Sequence, residues 1–277
     1  MRAATKTPTS HSTPFSVVAD TYDDVFSDSP IGRAQRHLVW KEVDRVFRPG
    51  QRILEINCGT GIDALHLAQR GVEVCACDAA PEMITIAQER LRASSHSTHV
   101  EFRCLPSEGV GELVSDGPYD GVLSNFAGLD CVGDLQALVR NLARLVRPGG
   151  QALVCIFGAF CLWEVLWYAS KADFRKAFRR LNRRGVEGVL APSQTVTVHY
   201  RSVGTLRSAF APWFRLEHRR GVGIASPPSY AGSLPLRFPR VFRLAVETDS
   251  YIGSCPGVRS LADHAVLVFR RTGERVT

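Results

Sequence analysis

Apolar and polar positions alternate between two rhythms along much of the chain. Short apolar runs at Arg52–Ile56, Val72–Cys77, Val100–Cys104, Tyr119–Ser124 and Gln151–Phe157 predict five strands. Between them lie stretches with helical spacing. Asp63–Gln69 carries Leu65, Leu67 and Ala68. Pro81–Leu91 has its proline in the first turn, where the missing N–H costs little. Asp134–Val146 places Leu135, Leu138, Val139, Leu142 and Leu145 on one face. Strands that alternate with helices predict a mostly parallel sheet covered on both faces. Upstream, Phe15–Phe26 reads as a helix. A second helix opens at Ser29 or Pro30, buries Ile31, Ala34, Leu38, Val39, Val43 and Phe47, and stops at Pro49-Gly50.

After Phe157 the rhythm changes. Trp163–Phe178 reads as one helix that turns basic through Lys171, Arg175, Lys176, Arg179, Arg180, Arg183 and Arg184. Gly185–Ser202 alternates like a hairpin or short strands, and Ser202 can cap a helix over Val203–Phe210. Phe214–Ile224 and Asp263–Arg270 read as further strands, flanking a helix at Pro239–Asp249. The expected layout is a disordered tail over 1–14, a helical cap over 15–50, a ligand-binding core over 51–157, an α+β insertion or lid over 158–213, and the rest of the core sheet over 214–277.

Composition narrows this little. The 277 residues suffice for a sizeable core, and 45% hydrophobic with 22% charged is ordinary. The net charge of +7 is dispersed, which points weakly to nucleic acid. No apolar run reaches the roughly 20 residues that span a bilayer, and Gly158 breaks the longest. The polar N-terminus lacks the apolar region of a signal peptide, so a cytoplasmic protein is expected, monomeric or homodimeric. The eight cysteines form no C-x-x-C pair and no zinc-type Cys/His spacing. Reduced thiols and no metal site are expected.

The chemistry centres on residues 52–63, RILEINCGTGID. A strand that ends in a glycine turn and opens a helix brings backbone close to a ligand and aims free N–H groups at it. Parallel sheets bind ligands beyond the carboxyl ends of their strands. One line of candidates follows: the turn itself, Asp78, residues 105–108, and Ser124 to Phe126. Gly59 to Ala64 also fits the dinucleotide fingerprint G-x-G-x-x-[G/A], which leaves an NAD(P)-dependent oxidoreductase open. Three features point elsewhere: Glu55 just before the turn, the turn Pro148-Gly149-Gly150 before the fifth strand, and two last strands that can close as an antiparallel pair.

With LEINCGTG (54–61), VCACDAAPEMITIA (74–87), YDGVLSNFAGLDCV (119–132) and LVRPGGQALV (145–154) in this order, the chain resembles the class I S-adenosylmethionine-dependent methyltransferases over about residues 15–157. The resemblance implies a Rossmann-like, seven-stranded, mostly parallel α/β sheet that binds S-adenosylmethionine and releases S-adenosylhomocysteine. Gly59 and Gly61 would pack against the methionine part, and Glu55 would lie near its amino group or the turn amides. Asp78 would accept from the ribose hydroxyls, and Ala79 and Met83 would border the adenine. Leu105 and Pro106, or Glu108, would meet the adenine amino group, and Ser124, Asn125 and Phe126 would stand where cofactor and acceptor meet. Tyr22 and Arg36 would close over the cofactor, with Arg36 or Arg33 pairing its carboxylate. Asn57 departs from the family's usual glycine, and asparagine tolerates left-handed backbone better than other non-glycine residues.

The acceptor is less legible. Trp163, Glu164 and Tyr200 are candidates to touch it, and Tyr22 and His199 to move a proton. A small-molecule acceptor of metabolite, natural-product or lipid-like type is expected. A nucleic acid is disfavoured, because Ser-Asn-Phe-Ala stands where an Asn-Pro-Pro-Tyr-type motif would serve base methylation. A non-catalytic cofactor-binding protein is the remaining alternative.

Overall fold

The computed structural model describes residues 13–94, 99–182, 184–192, 194–274 and 276, so most of the expected tail lies outside the described residues. Its strands are β1 (Arg52–Ile56), β2 (Glu73–Asp78), β3 (Val100–Cys104), β4 (Tyr119–Ser124), β5 (Val146–Phe157), β6 (Val186–Ala191), β7 (Gln194–Val198), β8 (Phe214–Val222) and β9 (His264–Arg271). Seven of them form one sheet in the order β3-β2-β1-β4-β5-β9-β8. The first five are parallel, and β9 runs antiparallel between β5 and β8. β6 and β7 make a separate hairpin.

Successive side chains of a strand point to opposite faces, and both faces here are covered. Leu54, Val122, Val154 and Leu267 enter one core and Ile53, Leu123, Leu153 and Val266 the other. The helices that cover them are α1 (Ala19–Tyr22), α2 (Pro30–Val46), α3 (Ile62–Gln69), α4 (Pro81–Arg92), α5 (Leu135–Leu145), α6 (Leu162–Ala169), α7 (Phe174–Ala177), α8 (Val203–Phe210), α9 (Ser233–Arg237) and α10 (Pro239–Ile252). Several begin where a side-chain oxygen takes an orphan N–H of the first turn. Ser29 accepts from Gly32, Asp134 from Ala137 and Ser202 from Thr205.

The structure departs from the sequence pattern at five places. Phe15–Phe26 is not one α-helix: a 3₁₀ turn (Ser16–Val18) leads into α1, which widens into a π-turn over Asp23–Ser27. The expected helix Trp163–Phe178 breaks in two. Ala172 takes a left-handed φ of 57°, and the N–H groups of Ala172 and Asp173 bond back to Ala169 and Tyr168, a Schellman stop. Asp173 then caps α7 by accepting from Lys176. Pro148-Gly149-Gly150 lies inside β5 as a bulge: Val146 already pairs with Tyr119, and the register shifts before Gly121 meets Gln151. Finally, α8 belongs to the core, since Leu206 and Phe210 are fully buried and Phe210 stacks on Phe269 at 4.1 Å. α2 is likewise core, with Leu38, Val39 and Val43 buried against the sheet. What stands off the core is the segment before α2 and the stretch from α6 to β7.

Candidate functional site

The turn after β1 is held by the strand ends around it. Asn57 has φ +58°, Gly59 +53° and Gly61 +76°. A Cβ at Gly61 would strike Phe102 and Ala87 at 2.6–2.9 Å, so this glycine is required by packing. A Cβ at Gly59 would meet nothing within 4 Å, so that glycine faces open space. The Asn57 amide donates to Ser107 Oγ at 2.8 Å, and the Ser124 hydroxyl donates to Asn57 Oδ1 at 3.4 Å, which ties the ends of β1, β3 and β4 together. Asp78, at the end of β2, accepts the Gly59 N–H on one oxygen and the Ala80 N–H on the other, both at 2.9 Å. Burial raises its pKa, against the lowering effect of these bonds. Leu105 N–H donates to the Asp78 carbonyl at 2.9 Å, which sets Leu105 and Pro106 beside Ala79.

Two further carboxylates lie behind the turn. Glu55 is 1% exposed, and its Oε2 has no hydrogen-bond partner among the described residues. Burial, then the charge of Asp63, holds its pKa well above the usual range. Asp63 is fully engaged: it accepts from Trp40 Nε1 (2.6 Å), Arg36 (2.6 Å) and Asn125 Nδ2 (2.9 Å). Arg36, expected to pair a cofactor carboxylate, is therefore committed to Asp63, and its guanidinium lies 4.8 Å from the Phe126 ring centre. Arg33 instead donates to the Asp28 carbonyl.

The N-terminal segment closes on this group. Thr60 donates to Asp23 at 2.8 Å, and Arg90 pairs with the same carboxylate. Tyr22 is half-buried beside Arg36, Asp78 and Asp63, and burial pushes its phenol up to about 12. Met83 is buried with Ala19 and Ala80, and Tyr22 packs against the three. The unpaired Glu55 oxygen and the spare lone pairs of Asp78, with open space at Gly59, make an acceptor-rich grouping around the turn. It fits a ligand that carries ammonium and hydroxyl donors, as the implied cofactor does.

Beyond β4 and β5 the lining becomes aromatic. His264 stacks on Phe157 at 4.9 Å and meets Phe126 edge-on at 5.5 Å, and Tyr200 packs on Phe157 at 5.6 Å. Behind them Arg180 is buried. It donates to Glu164 (2.9 Å), to Asp263 Oδ1 (2.7 Å) and to the carbonyls of Gly158 and Asp263. Arg179 fills the other Glu164 oxygen at 2.8 Å. Glu164, expected to touch the acceptor, is thus spent on two guanidiniums and only 1% exposed. The Trp163 indole donates to the Ala225 carbonyl at 3.2 Å, which fastens α6 to the loop after β8. His199 donates its backbone N–H to the Asp130 carbonyl, and its ring lies against Gly185 of the hairpin strands. Burial, then Arg201, lowers its pKa.

Several groups escape sequence reasoning. Asp263 Oδ2 lies 3.3 Å from His264 Nδ1, and Asp263 is held strongly acidic by His264 and Arg180 against the cost of burial. The available signal was topological: a last strand antiparallel to its neighbour begins at the end where the parallel strands finish. Asp130 is fully buried. One of its oxygens accepts the Phe157 N–H at 2.7 Å, the other has no partner among the described residues, and burial pushes its carboxyl up to about 7. Two surface clefts of about 260 and 340 Å³ lie elsewhere, around Asp120, Arg147 and Arg270 and around Glu42 and His218.

Residues 53–150 match the family model described as a methyltransferase domain. The chain is 35% identical over 108 residues to the ubiquinone biosynthesis O-methyltransferase of Xanthomonas campestris pv. campestris, a match that covers 38% of this chain and 43% of that protein. It therefore spans less than half the length of that relative. It is 26% identical over 168 residues to the tRNA 5-carboxymethoxyuridine methyltransferase of Escherichia coli K12, covering 59% of this chain and 63% of that protein. Among solved structures, the CcbJ methyltransferase of Streptomyces caelestis shares the fold with a TM-score of 0.63 at 16% identity, covering 96% of this chain and 100% of that one.

Proposed function

We propose that this chain, whose residues 53–150 match a methyltransferase-domain model, is an S-adenosylmethionine-dependent methyltransferase that methylates a small-molecule acceptor, with the donor held over residues 51–157 and the acceptor under a lid built from α6 to β7. The observation that carries the reading is Glu55, a sealed carboxyl with an unpartnered oxygen beside the Gly59–Gly61 turn and Asp78. S-Adenosylmethionine supplies an activated methyl group on a sulfonium that leaves as a neutral thioether. Asp78 would accept from the ribose hydroxyls and Glu55 would face the ammonium side, while Asp63 holds Arg36 and Asn125 in place behind the turn. Ala79, Met83, Leu105 and Pro106 border the adenine.

The chain's further contribution is placement. Holding two reactants in line within a closed site recovers about 7–11 kcal/mol of entropy and reorganisation at best. Phe126, Phe157 and Tyr200 give an apolar wall suited to a reaction in which charge is lost. Where the acceptor is a hydroxyl, its proton would go to His264 Nε2, which has no partner among the described residues; Nδ1 lies 3.3 Å from Asp263 and accepts or donates no hydrogen bond there. Tyr22 stays protonated at neutral pH and His199 faces the hairpin strands, so both serve this step less well.

Calorimetry with S-adenosylhomocysteine and with NAD(P) tests the donor half. Binding of the nicotinamide alone would overturn it. A second reading, RNA methylation, is favoured by the longer match to the tRNA enzyme and by the positive charge. Labelled methyl from the donor appearing in total tRNA, and not in extractable metabolites, would select it.

A further inference from the structure

Helices α6 and α7 and the 3₁₀ turn after them (Arg179–Leu181) turn two different faces to their surroundings. The inner face carries Glu164, Arg179 and Arg180, whose charges balance once Asp263, the second partner of Arg180, is included. The solvent-exposed side chains of this segment include four large apolar ones: Leu166 at 58% exposure, Phe174 at 61%, Phe178 at 45% and Leu181 at 59%. Lys171, Arg175 and Lys176 stand exposed among them. Lys171 lies 4.2 Å from the Trp167 ring centre, and Lys176 is 3.5 Å from Asp173, the acid that caps α7. Arg175 has no ion-pair partner among the described residues.

Exposed apolar patches of this kind mark interaction sites. Protein interfaces deplete lysine at their centres. Aromatic and aliphatic tips interspersed with Lys and Arg instead suit the boundary of an anionic bilayer, where the tips enter the acyl region and the cations meet the headgroups. No described helix is long and apolar enough to cross a membrane, so any attachment through these helices is peripheral. We propose that the outer face of α6–α7 seats this protein on an anionic lipid surface, so that an amphiphilic acceptor enters the lid from the bilayer interface. The acceptor clause rests on the methyltransferase reading; the lipid contact does not.

The test is flotation of the full chain with vesicles of phosphatidylcholine alone and of phosphatidylcholine with phosphatidylglycerol, at low and high salt. Binding is expected only to the anionic vesicles, and weaker in high salt. Each basic residue contributes about fivefold to partitioning, so the Lys171→Gln, Arg175→Gln, Lys176→Gln variant should lose roughly a hundredfold. Phe174→Ser with Phe178→Ser should also lose binding. S-Adenosylhomocysteine affinity, measured on every variant, should stay unchanged and shows that each is folded. Equal binding to neutral vesicles, or no flotation by a wild type that still binds S-adenosylhomocysteine, would overturn the lipid surface while leaving the donor site standing. A wild-type dimer that Phe174→Ser with Phe178→Ser converts to monomer, without flotation, would assign the face to a second copy and overturn it too. Flotation without S-adenosylhomocysteine binding would uphold the surface and sink the methyltransferase reading on which the acceptor clause depends.

Discussion

Asp78 shows how much a single carboxylate can hold. It fixes the glycine turn through two backbone N–H groups and keeps lone pairs for a ligand. Asp78→Ala should weaken S-adenosylhomocysteine by about 1.5–3 kcal/mol in calorimetry, the scale of hydrogen bonds to a charged group. Unchanged affinity would remove Asp78 from the binding set. Asp130 makes a pH prediction. Its carboxyl titrates near 7 in the fold and near 4 when unfolded, so between those values the folded state holds more protons, and stability falls as pH rises. Asp130→Asn keeps an acceptor for the Phe157 N–H and removes this dependence. By scanning calorimetry the variant should gain on the wild type between pH 4.5 and 7.5. A constant gap would show that Asp130 is already ionised. Asp78 and Glu55 could be singled out in the sequence because they stand near the carboxyl ends of β2 and β1, where a parallel sheet places its ligand sites. The commitment of Arg36 to Asp63, and of Glu164 to Arg180, was not, because such pairings join residues far apart in the chain.

At the level of elements, the strands and most helices could be read because both faces of the sheet are buried and leave continuous apolar runs. Breaks inside helices could not. Ala172 stops α6 in a left-handed conformation, although alanine is the best helix former, so local propensity hides the stop. The Asn57 turn gives a test of coupling between loops. A Cβ at Gly128 would lie 2.5 Å from the Asn57 Cβ. Gly128→Ala should therefore destabilise by about 1–3 kcal/mol in denaturant unfolding, as overpacking does. Asn57→Gly removes the obstructing side chain and suits φ +58°, so the double variant should recover most of the loss. Simple additivity would show that the two loops are independent. At the start of α8, Ser202→Ala should cost about 1 kcal/mol, as loss of an N-cap does.

On the scale of the whole molecule, Asp23 ties the N-terminal segment to the donor half beside the packing of Ala19 and Tyr22 on Met83. Asp23 takes Thr60 of the glycine turn and Arg90 of α4. Asp23→Asn should loosen the segment before α2 without unfolding the sheet. Amide exchange should quicken over Ser16–Ser27 and S-adenosylhomocysteine should bind more weakly, while the strands keep their protection. Exchange that rises everywhere would instead make Asp23 a residue of global stability. The sheet was legible down to its antiparallel end. That α2 and α8 pack into the cores was not, because an amphipathic helix has the same pattern whether it covers a core or a lid.

The place of β9 has a consequence for synthesis. It lies between β5 and β8, yet it comes last among the nine strands. Until residues 264–271 leave the ribosome, β5 and β8 each present an unpaired edge rich in buried-type side chains, and such edges invite other chains. A chain cut short before His264 would keep every residue of the glycine turn and still lack the strand that joins the two halves of the sheet. It should aggregate as it is made, in proportion to how long the ribosome pauses before that last strand emerges.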